Sequence, residues 1–93
     1  MIERDVERAL VGIVKRHGGL ALKWVCPGWL GVPDRIVLLP RGRILFVELK
    51  RPKGGKISAM QDWWRRKLSG LGFRVLVVKD KPGLQALEKE IGG

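Results

Sequence analysis

Three ionisable residues at short spacing could carry out metal-dependent chemistry in this chain: Asp34, Glu48 and Lys50. Thirteen residues separate Asp34 from Glu48, and Lys50 follows Glu48 by two. Two adjacent carboxylates repel one another unless a cation lies between them, and their oxygens are ligands that Mg²⁺ and Mn²⁺ prefer. A divalent cation held there could polarise a phosphoryl oxygen and lower the pKa of its bound water. The ammonium group could position that water or stabilise the negative transition state.

The two carboxylates lie on strands that are predicted to form a hairpin. Apolar alternation predicts strands at residues 34–39 and 43–50, joined by a Pro-Arg-Gly turn. A three-residue loop pairs residues whose numbers sum to 82, so Asp34 lies opposite Glu48, with Cβ atoms about 5 Å apart. The period of two places Lys50 on the same face as Glu48. The pattern therefore predicts that all three groups converge.

Each of these residues also has a simpler interpretation when it is taken alone. Asp34 could be a turn or capping residue after Pro33, and Glu48 with Lys50 could be an ordinary surface ion pair. The composition favours the joint interpretation, because residues 8–79 contain 16 Lys or Arg and only three acids. A chain that is this poor in acids has a reason to keep two of them on one hairpin.

Elements predicted around this hairpin complete an α/β fold. They are a helix at residues 2–16, a strand at 20–25, a helix that begins at Ser58, a strand at 73–78 and a helix that begins at Pro82. Both faces of the hairpin are apolar, so helices on the two sides or a partner subunit must cover them. We expect a single domain over residues 1–93, with a central mixed sheet flanked by helices in the order α-β-β-β-α-β-α.

The second helix is predicted to begin with a capping box formed by Ser58 and Gln61. Its buried stripe is predicted from the three- and four-residue spacing of Met60, Trp64, Leu68 and Leu71. Trp29, in the loop before Asp34, and Trp63, beside that stripe, could be exposed. They could then stack on bases or fill a subunit interface, although a core role is the more frequent one for a tryptophan.

The composition describes a small and strongly basic protein. The chain has 93 residues, a formal net charge of +10 and a pI of 10.7, which favours a polyanionic partner such as nucleic acid. The single cysteine, Cys26, excludes an internal disulfide. The charged N-terminal stretch does not fit a signal peptide, and no apolar run reaches the length of a membrane span. We expect an intracellular protein, located in the cytoplasm, without a membrane partner.

The order of these motifs resembles that of the virus-type replication-repair nuclease (VRR-NUC) family, within the PD-(D/E)xK nucleases. The matching segments are Glu3…Glu7, Gly18-Gly19, Pro27-Gly28…Gly31-Val32-Pro33-Asp34-Arg35, Phe46-Val47-Glu48-Leu49-Lys50 and Gln61. The resemblance extends from about residue 3 to residue 78. It departs from the family at Cys26, where members often have serine, a position without a catalytic role.

The resemblance implies a metal site for Mg²⁺ or Mn²⁺ and no organic cofactor. Asp34 and Glu48 would be its carboxylate ligands, and the backbone carbonyl of Leu49 would be a third protein ligand. Either Glu3 or Glu7 would complete the surroundings of the metal, directly or through water. Because these two residues are four apart on one helix face, their spacing does not choose between them.

The resemblance also implies that Lys50 is the catalytic lysine and that Gln61 points into the site, in competition with its capping role. Adjacency to the site makes a set of basic residues candidates for phosphate contacts, with binding that weakens as salt rises. This set consists of Arg51, Lys53 and Lys56, with Arg35 as a further candidate.

The function implied by the resemblance is that of a metal-dependent, structure-selective DNA endonuclease. Stand-alone members are similar to Holliday-junction resolvases, so we expect a homodimer that cuts branched DNA. One alternative is a basic nucleic-acid-binding module that cuts nothing, with its acids engaged in salt bridges. Another is a nuclease subunit that needs a partner protein for targeting.

Overall fold

The structure, a computed structural model, describes residues 2–50 and 57–92. Its elements, in chain order, are α1 (Glu3–Arg16), β1 (Leu20–Lys23), β2 (Arg35–Leu39), a 3₁₀ turn (Pro40–Gly42), β3 (Arg43–Leu49), α2 (Ala59–Gly70), β4 (Arg74–Val78) and α3 (Lys81–Gly92). This is the predicted order, although β1 ends two residues earlier than expected and β2 begins one residue after Asp34. In the described ranges, no helix is both long enough and apolar enough to cross a membrane.

The four strands form one mixed sheet in the order β1-β2-β3-β4. The pairs β1–β2 and β2–β3 are antiparallel, and β3–β4 is parallel. The register predicted for the hairpin is confirmed, since Leu39 pairs with Arg43 and Ile36 pairs with Phe46. The parallel partner continues past the end of β3, where the Lys50 N–H donates to the Val78 carbonyl at 3.0 Å. This bond fixes the backbone from which the predicted catalytic lysine projects.

The main core lies between one face of the sheet and the helices α1 and α3. Its buried members are Val6, Leu10, Ile13 and Val14 of α1, Val37, Leu39, Leu45, Val47, Leu49 and Val78 of the sheet, and Leu84, Leu87 and Ile91 of α3. Each buried large aliphatic side chain contributes about 2 kcal/mol relative to an exposed one. This core therefore holds the hairpin that carries the predicted site.

The opposite face of the sheet is covered only in part. Phe46 is buried there, and Trp24 packs against it with a ring-centroid distance of 5.3 Å. However, Leu20 and Leu22 on the edge strand β1, and Ile44 near the β2–β3 turn, remain 60, 44 and 41% exposed. The expectation that both faces are covered thus holds for one face and for part of the other within this chain.

The predicted buried stripe of α2 is correct in its centre and wrong at its ends. Leu68 is buried and Trp64 is half-buried, whereas Met60 and Leu71 are 40 and 63% exposed. Leu71 lies one residue beyond the helix, and Met60 lies in its first turn beside the loop that contains Gly31. The three- and four-residue spacing identifies the inward face of α2, but the ends of the helix reach past the surface that this face covers.

Candidate active site

The carboxyl groups of Asp34 and Glu48 meet at the end of the hairpin. An Asp34 Oδ2 accepts a hydrogen bond of 2.7 Å from the Leu49 N–H. The Asp34 carboxyl group is close enough to Glu48 to influence the protonation of its side chain. Glu48 is only 4% exposed, while Asp34 opens to solvent. The predicted convergence of two carboxyl groups is therefore present in the structure.

The surroundings of Glu48 change its protonation. Burial, followed by the hydrogen bond and the charge of Asp34, raises the pKa of Glu48 from 4.5 to about 8, although the Lys50 charge acts to lower it. Without a cation, the Glu48 carboxyl group therefore keeps its proton to a higher pH than an ordinary glutamate does. Metal ions compete with protons for such oxygens.

The donor set of this pair fits a hard divalent cation. Mg²⁺ is typically bound through one or two carboxylates, with water and substrate phosphate oxygens completing the shell. Within residues 2–50 and 57–92, no three His, Cys, Asp or Glu side chains lie close enough together to hold an ion. Asp34 and Glu48 would therefore be the carboxylate ligands, and further protein donors would come from the backbone, where Leu49 lies against the pair.

Lys50 is held beside the carboxyl pair by α2. Its Nζ donates to the Gln61 Oε1 at 2.7 Å, while the ion pairs of the described residues do not include a bond from Lys50 to Asp34 or Glu48. The same Gln61 oxygen accepts the Ser58 N–H at 2.9 Å, and the Ser58 Oγ accepts the Gln61 N–H at 3.1 Å. Gln61 therefore caps α2 and also accepts a hydrogen bond from the Lys50 amine, so the capping contact does not prevent it from facing the predicted site.

The structure separates the two candidate glutamates of α1. Glu7 pairs with Arg35 at 3.1 Å, whereas the charge of Glu3 contributes to the raised pKa of Glu48. Arg35 also donates to the Ala21 carbonyl at 2.9 Å, and its side chain is 11% exposed. These contacts tie α1 to β1 and β2, and they do not favour the site role predicted for Glu7 or the phosphate contact predicted for Arg35.

A signal for the Glu7–Arg35 pair was present in the sequence. Arg35 alternates with Val37 and Leu39 along β2, so it faces the side of the sheet that α1 covers. Glu7 directly follows Val6, which belongs to the buried stripe of that helix. The period of two in the strand, combined with the helical stripe, would have placed these opposite charges together.

The three basic residues that were predicted to follow phosphates, Arg51, Lys53 and Lys56, lie outside the described residues.

Aromatic contacts fix the loop of residues 24–33 that leads into Asp34. Trp24 and Trp64 meet edge to face at 5.8 Å, and the Trp64 indole N–H donates to the Leu30 carbonyl at 3.0 Å. At Gly31, with φ of 82°, a Cβ atom would lie 2.7 Å from the Cβ of Met60. Only glycine allows this approach of the loop to α2. Loop and helix together therefore set the positions of Asp34 and Gln61.

Comparison with known proteins identifies a phage nuclease as a relative. No protein-family profile matches the chain. The chain is 46% identical over 76 residues to the protein named "Putative nuclease p44" from Acyrthosiphon pisum secondary endosymbiont phage 1, covering 82% of this chain and 81% of the phage protein. A solved structure described as "VRR_NUC domain" superposes with a TM-score of 0.88 and 31% identity, over 94% of both chains. This chain therefore belongs to the VRR-NUC family of PD-(D/E)xK nucleases.

Proposed function

We propose that this nuclease is a Mg²⁺- or Mn²⁺-dependent endodeoxyribonuclease that acts on branched DNA inside the host cell. The observation that carries the proposal is the carboxyl pair of Asp34 and the buried Glu48 beside a lysine that is held in place. A cation bound by the pair would supply Lewis acidity at a phosphodiester oxygen and a bound water of lowered pKa. The chain's net charge of +10 would bring the polyanionic substrate to the site.

Each neighbouring residue has a distinct part in the proposed hydrolysis. Asp34 and Glu48 would hold the cation, because the Leu49 N–H and the burial of Glu48 restrict the rotation of their side chains. The Lys50 ammonium group donates to the attacking water or to a phosphoryl oxygen, where it stabilises the added negative charge. Gln61 holds the amine in that position through its Oε1.

The same proposal includes a homodimer. Among the described residues, the part of the sheet face that carries Leu20, Leu22 and Ile44 remains exposed, and β1 is an edge strand of the sheet. A second copy related by a two-fold axis would bury this apolar surface and present two active sites to two strands. Such an arrangement suits four-way junctions, at which paired and symmetric cuts resolve the branch.

Cleavage assays test the proposed chemistry. Labelled four-way junction, flap, duplex and single-stranded DNA are incubated with Mg²⁺, Mn²⁺ or EDTA. We expect metal-dependent products, strongest on the branched substrates. Asp34→Asn and Lys50→Met should each lower the rate by about 100-fold or more, with little change in DNA binding measured in EDTA.

A matched variant, Asp62→Asn, controls for the removal of an acid. Asp62 is paired with Arg65 and Arg66 on α2, outside the carboxyl pair, so its variant should cleave at a rate close to wild type. DNA binding without metal-dependent cleavage of any substrate would instead support a basic binding module. Cleavage that appears only after a second protein is added would indicate a subunit that depends on a targeting partner.

A further inference from the structure

Trp29 and Trp63 form an exposed stacked pair between the loop that leads into Asp34 and helix α2. Their ring centroids are 6.3 Å apart, and the ring planes differ by 12°. The side chains are 54 and 39% exposed, although tryptophan is usually well buried. Each ring covers part of the other and leaves aromatic surface open to solvent.

The inner members of the aromatic cluster, without this pair, already join the loop to the sheet and α2. Trp24 contacts Phe46 and Trp64, and the Trp64 indole N–H binds the Leu30 carbonyl. Trp29 and Trp63 extend the cluster outwards, each also in edge contact with Trp64. The outer pair therefore adds a surface to a cluster that is packed beneath it.

The pair is built on the two segments that hold the catalytic groups. Trp29 lies in the loop five residues before Asp34, and Trp63 lies on α2 two residues after Gln61. At Gly31 the loop backbone approaches Met60 and Gln61, so the two segments are in contact between the tryptophans and the site. A group stacked on the pair would therefore rest on the same loop and helix that carry Asp34 and Gln61.

We propose that the Trp29–Trp63 pair is a binding site for an unpaired nucleobase of the DNA substrate, an inference that rests on the proposed nuclease function. Every base has a π-face, so such stacking tolerates any sequence, and it is worth about 1–3 kcal/mol per base. In duplex DNA these faces are occupied by neighbouring base pairs. The pair thus selects DNA with an unstacked base near the cleavage point.

The charge of the molecule favours a nucleic acid as the occupant of this surface. Lys67 is exposed and lies four residues after Trp63, on the same side of α2, where it can contact the phosphate that adjoins a stacked base. The chain as a whole carries +10, which attracts a polyanion. The apolar rings supply the base contact, and the lysine supplies the backbone contact.

Binding in EDTA tests this site without cleavage. The probes are a duplex with one unpaired 2-aminopurine and the same duplex fully paired. We expect wild type to prefer the unpaired probe and to quench its fluorescence through stacking. Trp29→Leu and Trp63→Leu should each weaken that binding by at least about fivefold, while binding of the paired duplex changes by less than about twofold. Trp63→Phe, which keeps an aromatic face, should retain most of the preference.

A matched control is Leu71→Ala, which removes a comparably exposed apolar side chain at the other end of α2 and should bind both probes as wild type does. Equal binding of the unpaired probe by wild type and both leucine variants would overturn the inference. An equal loss on both probes would also overturn it, because it would indicate a structural role. A change from dimer to monomer in the leucine variants would assign the pair to a subunit interface instead.

The outcomes for the inference and for the nuclease proposal are separable. If wild type cleaves no DNA with Mg²⁺ or Mn²⁺ but its preference for the unpaired base depends on the tryptophans, the base site stands and the nuclease proposal fails. If wild type cleaves branched DNA and the leucine variants keep the preference, the nuclease proposal stands and the base site fails.

Discussion

The contacts of Gln61 allow its effect on the catalytic lysine to be distinguished from its effect on helix stability. Lys50 and the first turn of α2 share one acceptor, the Oε1 of Gln61. A substitution at Gln61 therefore removes two contacts, whereas a substitution at Ser58 removes only the cap. This difference allows the positioning of the lysine to be measured apart from the stability of the helix.

Gln61→Met should lower the cleavage rate by about 10-fold, since it leaves the Lys50 amine without a fixed acceptor. Gln61→Met and Ser58→Ala should both lower the free energy of unfolding by a similar amount, about 1 kcal/mol, because each removes a cap of α2. Ser58→Ala, however, should leave the cleavage rate nearly unchanged. Gln61→Glu, which keeps an acceptor oxygen, should restore much of the rate. Single-turnover cleavage and urea unfolding of the three variants check this; equal rates for Gln61→Met and Ser58→Ala would show that Gln61 acts only as a cap.

Glu48 makes the stability of the metal-free protein depend on pH. Its pKa is raised on folding from 4.5 to about 8, so the folded state binds the proton more tightly than the unfolded state. The free energy of unfolding should therefore fall as pH rises from about 4.5 to about 8. Glu48→Gln should lack this decline and be at least as stable as wild type at the upper end of the range.

Urea unfolding in EDTA across that pH range measures the effect. Glu90→Gln is the matched control, because Glu90 pairs with Arg74 at the surface and its variant leaves the Glu48 carboxyl group intact. The control should keep the wild-type decline. A decline of the same size in Glu48→Gln would mean that another group is responsible.

At the scale of elements, the 24–33 loop contacts α2 at Gly31. This contact sets the position of the loop that ends at Asp34 relative to Gln61, the acceptor of the Lys50 amine. Gly31→Ala would place a Cβ atom within 2.9 Å of three atoms of Met60 and Gln61, at a φ of 82°. Gly28→Ala is the matched control, since Gly28 has a φ of 86° but nothing within 4 Å of the added Cβ.

Both variants should lose about 1–2 kcal/mol to left-handed backbone strain. Gly31→Ala should lose more and should also lower the cleavage rate, because the loop must move away from Gln61. Chemical unfolding and cleavage assays on the two variants check this. Equal stability and equal activity of both would contradict the role assigned to the loop contact.

The sequence was sufficient to predict the elements and the register of the hairpin, for identifiable reasons. The turn length determined which residues pair, as the observed register shows. The alternation along the two strands determined which side chains share a face of the sheet. The exposure of Met60 and Leu71 was not predictable in this way, since helical spacing does not report how far the opposing surface extends. The sequence pattern also could not predict that Gln61 contacts Lys50 while it caps α2, because this contact depends on the distance between α2 and the end of β3.

At the scale of the whole molecule, the uncovered sheet face predicts self-association. Leu22→Glu places a charge on this face at a residue that is already 44% exposed, so the monomer should still fold. We expect the variant to sediment as a monomer and to replace paired junction cuts by single nicks. Gln85→Glu, an equivalent charge on an exposed position of α3, should remain dimeric. A monomeric wild type, or a dimeric Leu22→Glu, would contradict the proposed interface.

The most direct measurement is anomalous diffraction from crystals of the protein grown with Mn²⁺. Our account predicts an anomalous peak in contact with the carboxylate oxygens of both Asp34 and Glu48, and the loss of that peak in Asp34→Asn. Active protein whose crystals show no peak at these oxygens, or show Mn²⁺ only at other residues, would contradict the assignment of the catalytic metal to this carboxyl pair.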